Sequence, residues 1–276
     1  MGLKSLIYKF CKGSIREMNN EDIRKVAMEQ SAIDFNCSVD YFFKNKDRVV
    51  ISKLNKGSKK CYKKRLFCGL AYYGKGVVAT VDESIRGFME KFLNKHPGFR
   101  AFDTPQLVLL NKELEKYGKT VCFIAECFLP DVEKQVLINK DIEVKILCEN
   151  EIPSLYEDDR FHMALTYNND GEKKDVLAVV GYIDGEIAGI AAVSNDCENM
   201  WQVGIDVLPE FRKQGVAKTL TKILTDEVIK REKVPYYCRA WSNIASKNNA
   251  ISCGYKTTWV EIGAIDIEDA MKIAGE

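Results

Sequence analysis

The chain has 276 residues, 46% of them hydrophobic and 29% charged, with a net charge of +1. That apolar content, with 13 Phe, 12 Tyr and 3 Trp, excludes a disordered or low-complexity polymer, and no run approaches the roughly 20 apolar residues of a membrane span. The near-neutral balance hides an asymmetry: residues 1–138 carry 25 basic against 16 acidic side chains, and residues 139–276 carry 16 against 24. Two differently built domains, 1–138 and 139–276, are the expectation.

Residues 1–12 lack the small-residue cleavage site of a secretory signal, and Leu6 stands where a myristoylation pattern starting at Gly2 needs Ser or Thr. A cytoplasmic protein with its ten cysteines reduced is therefore expected. No Cys-x-x-Cys pair occurs, and neither His96 nor His162 has a Cys or His three or four residues away, so no metal site is expected. Asn19 or Asn20 caps a helix reaching Phe35, with acidic Glu21 and Asp22 in its first turn. Residues 48–54 read as a strand. The basic run around Lys53, Lys56, Lys59, Lys60, Lys63, Lys64 and Arg65 reads as a solvated edge and loop, because no nucleic-acid motif accompanies it.

Residues 66–81 form a β-type run broken by the turn Tyr73-Gly74-Lys75-Gly76. Asp82 caps a helix to about Asn94, and Thr104-Pro105 opens another that ends at Gly118. A strand at 120–129 closes at Pro130, and residues 131–140 form the linker. In the second half, 142–147 reads as a strand and 150–163 as a helix. Strands at 176–183 and 186–193 are joined by Asp184-Gly185, a type I′ hairpin signal. A strand at 201–207 leads through a loop into a long helix at 215–231, whose apolar Val216, Leu220, Ile223, Leu224, Val228 and Ile229 recur three and four apart. A strand at 235–241, a short helix at 246–253 and a strand at 257–265 complete a mixed α/β order.

The chemistry concentrates where that strand turns into the long helix, at Val207-Leu-Pro-Glu-Phe-Arg212-Lys213-Gln214-Gly215-Val216-Ala217. Unpaired backbone N–H groups at a helix N-terminus make an anion cradle, reinforced here by Arg212 and Lys213. Gly215 has no Cβ to keep a pyrophosphate away, and Ala217 keeps the helix end slim. The run fits neither the Walker loop nor the Gly-x-Gly-x-x-Gly fingerprint.

Arg212-x-x-Gly215-x-Ala217, preceded by Val207-x-Pro209, resembles motif A of the GNAT superfamily of acyl-CoA-dependent N-acetyltransferases. Downstream, Asn243-x-x-Ser246 and Gly254-Tyr255 are similar to the family's second motif. The resemblance covers residues 142–265 and implies a C-terminal GNAT fold, an α+β mixed sheet, beside a second N-terminal α/β domain, for which a degenerate GNAT-like unit is one reading. It implies acetyl-CoA as co-substrate, with the pyrophosphate on Arg212, Lys213, Gln214, Gly215, Val216 and Ala217. The pantetheine arm would lie along Ile205, Asp206 and Val207 and meet Asn243 and Ser246. The implied reaction is direct attack of a primary amine, from a small molecule or peptide, on the thioester; a homodimer fits the same reading.

The proton chemistry departs from the family pattern. Ala250 stands where many members carry an acid Tyr. Asp206, Glu198 and Tyr255 are the remaining candidates for base and acid. In a regular strand Asp206 points away from Ile205 and Val207, so a carboxylate bound to loop amides is its competing reading. Trp201 and Trp241 either line an acceptor pocket or simply pack. The alternative function is a non-catalytic module that binds acyl-CoA or a partner. Acceptor specificity is expected in residues 149–175 and 195–200.

Overall fold

The computed structural model describes residues 18–166 and 173–275. The readings of residues 1–12 fall outside that range, as does the 167–172 part of the expected acceptor loop. Asn19 caps the first helix, α1 (Asn20–Asp34): its side chain accepts from the amides of Glu21 and Asp22, and Asp22 reaches back to the cap's own N–H. This reciprocal arrangement satisfies donors that a helix start otherwise leaves open. Strands β1 (Arg48–Ile51), β2 (Cys68–Tyr72) and β3 (Val77–Val81) follow; β2 and β3 are antiparallel, and β1 runs parallel to β3. Helices α2 (Arg86–Lys95) and α3 (Thr104–Leu114) come next, and Gly118, at φ 66°, releases the chain into β4 (Lys119–Pro130).

The second half begins as an antiparallel meander of β5 (Glu143–Cys148), β6 (Asp175–Ile183), β7 (Glu186–Ser194) and β8 (Met200–Val207). Asp184 and Gly185 take φ of 52° and 82°, the two left-handed positions a type I′ turn requires. Then come α4 (Val216–Lys230), β9 (Val234–Ala240), α5 (Ile244–Ser252), β10 (Tyr255–Asp266) and α6 (Ile267–Ala274). The expected helix at 150–163 is instead two short 3-10 stretches, Ile152–Glu157 and Asp159–Phe161. Its buried Ile152, Leu155 and Phe161 recur at multiples of three, which suits a three-residue turn better than 3.6. Asp158 interrupts the run by accepting from the Arg160 amide. Helix α6 has no counterpart in the expected elements.

The ten strands among the described residues form one mixed sheet in the order β1-β3-β2-β10-β4-β9-β8-β7-β6-β5. The two halves interleave: β10 pairs with both β2 and β4, and β4 pairs with β9. The sheet is thus continuous across residues 138 and 139. One face carries α2 and α3 over the first half, with Leu70, Val81, Met89, Leu110 and Ile262 between them. On the same face α4 buries Val216, Leu220, Leu224 and Val228 against β6 to β9. The opposite face carries α1 over Tyr73, Cys127, Tyr236 and Trp259, and the 152–165 segment over Ala178, Val180, Ile190 and Ala192.

Candidate active site

Strands β8 and β9 run parallel but share only three partner pairs, from Met200–Val234 to Gln202–Tyr236. Beyond them β8 keeps its partner β7, whereas β9 keeps its partner β4. The two strands therefore part into a V. The Leu208 amide donates to Ala188 of the β7 side at 3.0 Å. Backbone groups alternate in direction along an antiparallel strand, so those of Val203, Ile205 and Val207 face the V. That edge can hydrogen-bond an extended chain carrying amides.

At the open end of the V, the chain makes a short 3-10 turn at Pro209–Phe211 and then takes left-handed φ at Lys213 (64°) and Gly215 (82°). Left-handed residues alternating with ordinary ones aim successive N–H groups at one point. Gly215 occupies the N-cap of α4 and has no side chain to close it, so the first-turn N–H groups stay open. Asn139 braces the loop, its side chain donating to the Gln214 carbonyl at 3.2 Å and its N–H to Thr219 Oγ1 at 2.9 Å. Arg212 Nε donates to the Val207 carbonyl at 3.1 Å, fixing the loop to the end of β8. Exposed Arg212 and Lys213, open amides and the positive end of a 15-residue helix converge here. Together they suit an anion the size of a pyrophosphate.

Asp206 lies on the opposite face of β8. Its Oδ2 accepts from the amides of Met163 at 2.6 Å and Ala164 at 3.1 Å, so it pins the 159–165 segment across the strand. Burial raises its pKa above the ordinary carboxylate range, with the two amides, His162 and Arg212 opposing. Gly204 admits the same segment, because a Cβ there would lie 2.6 Å from the Ala164 carbonyl oxygen. His162 is exposed, and its Nδ1 lies 3.3 Å from the Asp159 carbonyl.

Asn243 caps α5, accepting from the Ser246 amide at 3.1 Å. These two residues stand at the end of β9, on the far wall of the V from Ile205 and Val207. Glu198 is exposed in the turn before β8, at the opposite end of that strand from the loop. Tyr255 is 2% exposed; its hydroxyl bonds Thr225 Oγ1 at 2.7 Å and its ring meets Tyr237 edge-on. Burial pushes that hydroxyl well above its ordinary pKa. Trp201 packs half-buried against the α4 core, while Trp241 is 64% exposed. Ile205 and Val207 on β8 thus lead directly into Arg212 to Ala217, and Asn243 and Ser246 follow the end of β9, whereas Glu198 lies at the far end of β8 and the Tyr255 hydroxyl is buried against α4.

The vertex of the V holds polar groups that the motifs did not single out. Gln202 Nε2 reaches across to the Cys238 carbonyl at 3.5 Å, and Lys173 Nζ donates to Gln202 Oε1 at 3.1 Å. Lys173 is also 2.7 Å from Asp196 Oδ1, and the Tyr236 hydroxyl donates to the other oxygen of Asp196. The signal available in sequence was weak: Asp196 is one acidic residue in a turn, and its partner Tyr236 is 40 residues away. Nearby, Lys59 departs from the solvated reading of the basic run. It is 4% exposed, with Nζ 3.3 Å from Glu261 and 3.6 Å from Asp34. Its charge is retained because two carboxylates and the rings of Tyr236 and Trp259 surround it.

The Acetyltransferase (GNAT) family pattern matches residues 144–255. Among solved structures, the chain is similar to a GCN5-related N-acetyltransferase-like protein from Streptococcus suis (15% identity, TM-score 0.41, covering 58% of this chain and 68% of that one). It is also similar to a GCN5-related N-acetyltransferase from Kribbella flavida (15% identity, TM-score 0.41, 56% and 63%). A tandem GNAT protein from the clavulanic acid biosynthesis pathway matches at 12% identity and TM-score 0.38, over 52% and 53%. The chain thus spans between 53% and 68% of these structures' lengths. No curated protein sequence matches the chain.

Proposed function

We propose, from the match of residues 144–255 to the Acetyltransferase (GNAT) family, that this chain transfers an acetyl group from acetyl-CoA to a primary amine of a small molecule or peptide. The observation that carries the reading is the V between β8 and β9, opening onto the uncapped start of α4. Amides from Lys213 to Ala217 would hold the pyrophosphate, with Arg212 at its edge. The edge of Ile205 and Val207 would pair with the pantetheine arm, and the Val207 N–H would polarise the thioester carbonyl. Asn243 and Ser246 would bound the arm from the β9 side.

Amine attack on a thioester needs proximity, a deprotonated amine and a proton for the departing thiolate. Asp206 is the best-placed base of the three candidates. Oδ2 is engaged by two amides, which leaves Oδ1 to take a proton through water, and a raised pKa favours that role. Division into parts 1–138 and 139–276 remains our proposal for the chain's organisation, with β4 of the first part held between β9 and β10 of the second.

Release of CoA thiol, followed against a panel of amines, tests the reading. Turnover that falls at least tenfold in Asp206→Ala supports it. Acetyl-CoA binding without thiol release for any amine would favour the second reading, a binding module. The engagement of the Tyr255 hydroxyl by Thr225 and the buried Ala250 at the motif's tyrosine position give that alternative its weight.

A further inference from the structure

Cys127 on β4 and Cys238 on β9 are direct cross-strand partners. Directly opposed residues share a face of the sheet, and both thiols belong to the α1-side core. Facing residues of an antiparallel pair have Cα atoms about 4.5 to 5.5 Å apart, within the span a disulfide bridges. The two side chains lie close enough for each to perturb the other's titration. They differ in access: Cys127 is fully buried, whereas Cys238 is half-buried beside the vertex of the V. Its neighbour Cys127 holds the Cys238 thiol below the ordinary value. Burial pushes other cysteines the opposite way, Cys37 and Cys68 to about 12 and Cys197 and Cys253 to about 11.

We propose that Cys127 and Cys238 form a dithiol modification site, which hydrogen peroxide closes to a disulfide tying β4 to the β9 wall of the V. The Cys238 thiolate, the less buried of the pair, attacks peroxide oxygen, giving a sulfenic acid and hydroxide. The Cys127 thiol then attacks that sulfur and displaces water. In sum, two thiols and one peroxide give one disulfide and two waters; sulfur is oxidised and peroxide reduced. The bond would join strands from the two halves of the chain and close a long loop, restricting the unfolded ensemble. This chemistry does not depend on the acetyl-transfer reading.

The full-length protein, fully reduced and then treated with modest excesses of peroxide, provides the test. The expected product has lost two hydrogen masses, regains them with dithiothreitol, and yields a cross-linked peptide joining residues 127 and 238. Its unfolding midpoint lies above that of the reduced form. Cys127→Ser should leave a sulfenic acid on Cys238 that dimedone captures, and Cys238→Ser should abolish both products while keeping the native circular dichroism spectrum. Dimedone capture does not require the cross-linked fold, so a structural defect in one variant leaves the other arm readable. No mass loss on peroxide treatment, or a disulfide mapped to other cysteines, would overturn the proposal.

Discussion

The two faces of the sheet at the V are built by opposite strategies. On the α4 face, a short run of local sequence turns backbone amides outward: Lys213 and Gly215 take left-handed φ, and α4 starts without a cap. On the α1 face, polar groups from distant segments are sealed inward: Lys59 sits between Asp34 and Glu261, and Trp259 Nε1 donates to the same Glu261 at 2.7 Å. The open cradle, with Arg212, Lys213 and the positive start of α4 around it, has charge left to meet an anion. A buried cation held between two carboxylates already has its counter-charges and has no such vacancy. In the proposed function the first face captures the ligand, while the second joins segments of the two halves of the chain through Lys59, Asp34 and Glu261.

The largest effect is expected on the sealed face. Lys59→Met leaves two buried carboxylates without their cation, and breaking a buried pair in this way costs about 3–5 kcal/mol. Urea denaturation should show that loss in the midpoint; a cost below about 1 kcal/mol would place Lys59 in solvent contact. On the open face, Gly215→Glu combines a strained left-handed side chain with a negative charge in the cradle. Acetyl-CoA affinity measured by calorimetry should fall on the order of 100-fold, since like-charge juxtaposition costs several kcal/mol. Unchanged affinity would move the phosphate site elsewhere.

A pH series sharpens the contrast. Burial holds the Asp34 carboxyl up at about 6 against an ordinary 3.8, with Lys59 opposing. A group that binds its proton more tightly in the folded chain stabilises the fold at low pH. That contribution is lost as pH rises from 3.8 towards about 6 and stays lost above. Asp34→Asn should therefore flatten the stability slope across that window. A slope that persists unchanged in the variant would assign it to another group. The smallest effect belongs to Tyr255→Phe, which removes one hydrogen bond to Thr225 and should cost about 0.5–1.5 kcal/mol. Turnover should survive it; an abolished rate would return Tyr255 to the reaction.

Legibility in the sequence followed the same division. The α4 cradle was readable because its parts are contiguous: Arg212, Gly215 and the apolar stripe of α4 lie within one strand-turn-helix. The Asp184-Gly185 turn was readable for the same reason, since two adjacent residues specify it. Residues 150–163 misled because a three-residue period and a 3.6-residue period differ little over one short segment. Lys59 was invisible as a core residue, because its partner Glu261 is 202 residues away and its neighbours in sequence are solvated lysines. The interleaving of β4 between β9 and β10 is likewise set by pairing across the whole chain. Asp206 was readable only as an oddity on an apolar strand. Its bonds to the Met163 and Ala164 amides needed the fold.

The most direct test of the central claim is thermal unfolding of the purified protein with and without saturating acetyl-CoA, beside Gly215→Glu under the same conditions. Ligand at about 100 times its dissociation constant stabilises a fold by roughly 2.7 kcal/mol, so the wild-type midpoint should rise clearly and the variant's should not. No shift in the wild-type protein with acetyl-CoA or free CoA would contradict the assignment of the V and its loop as the acetyl-CoA site.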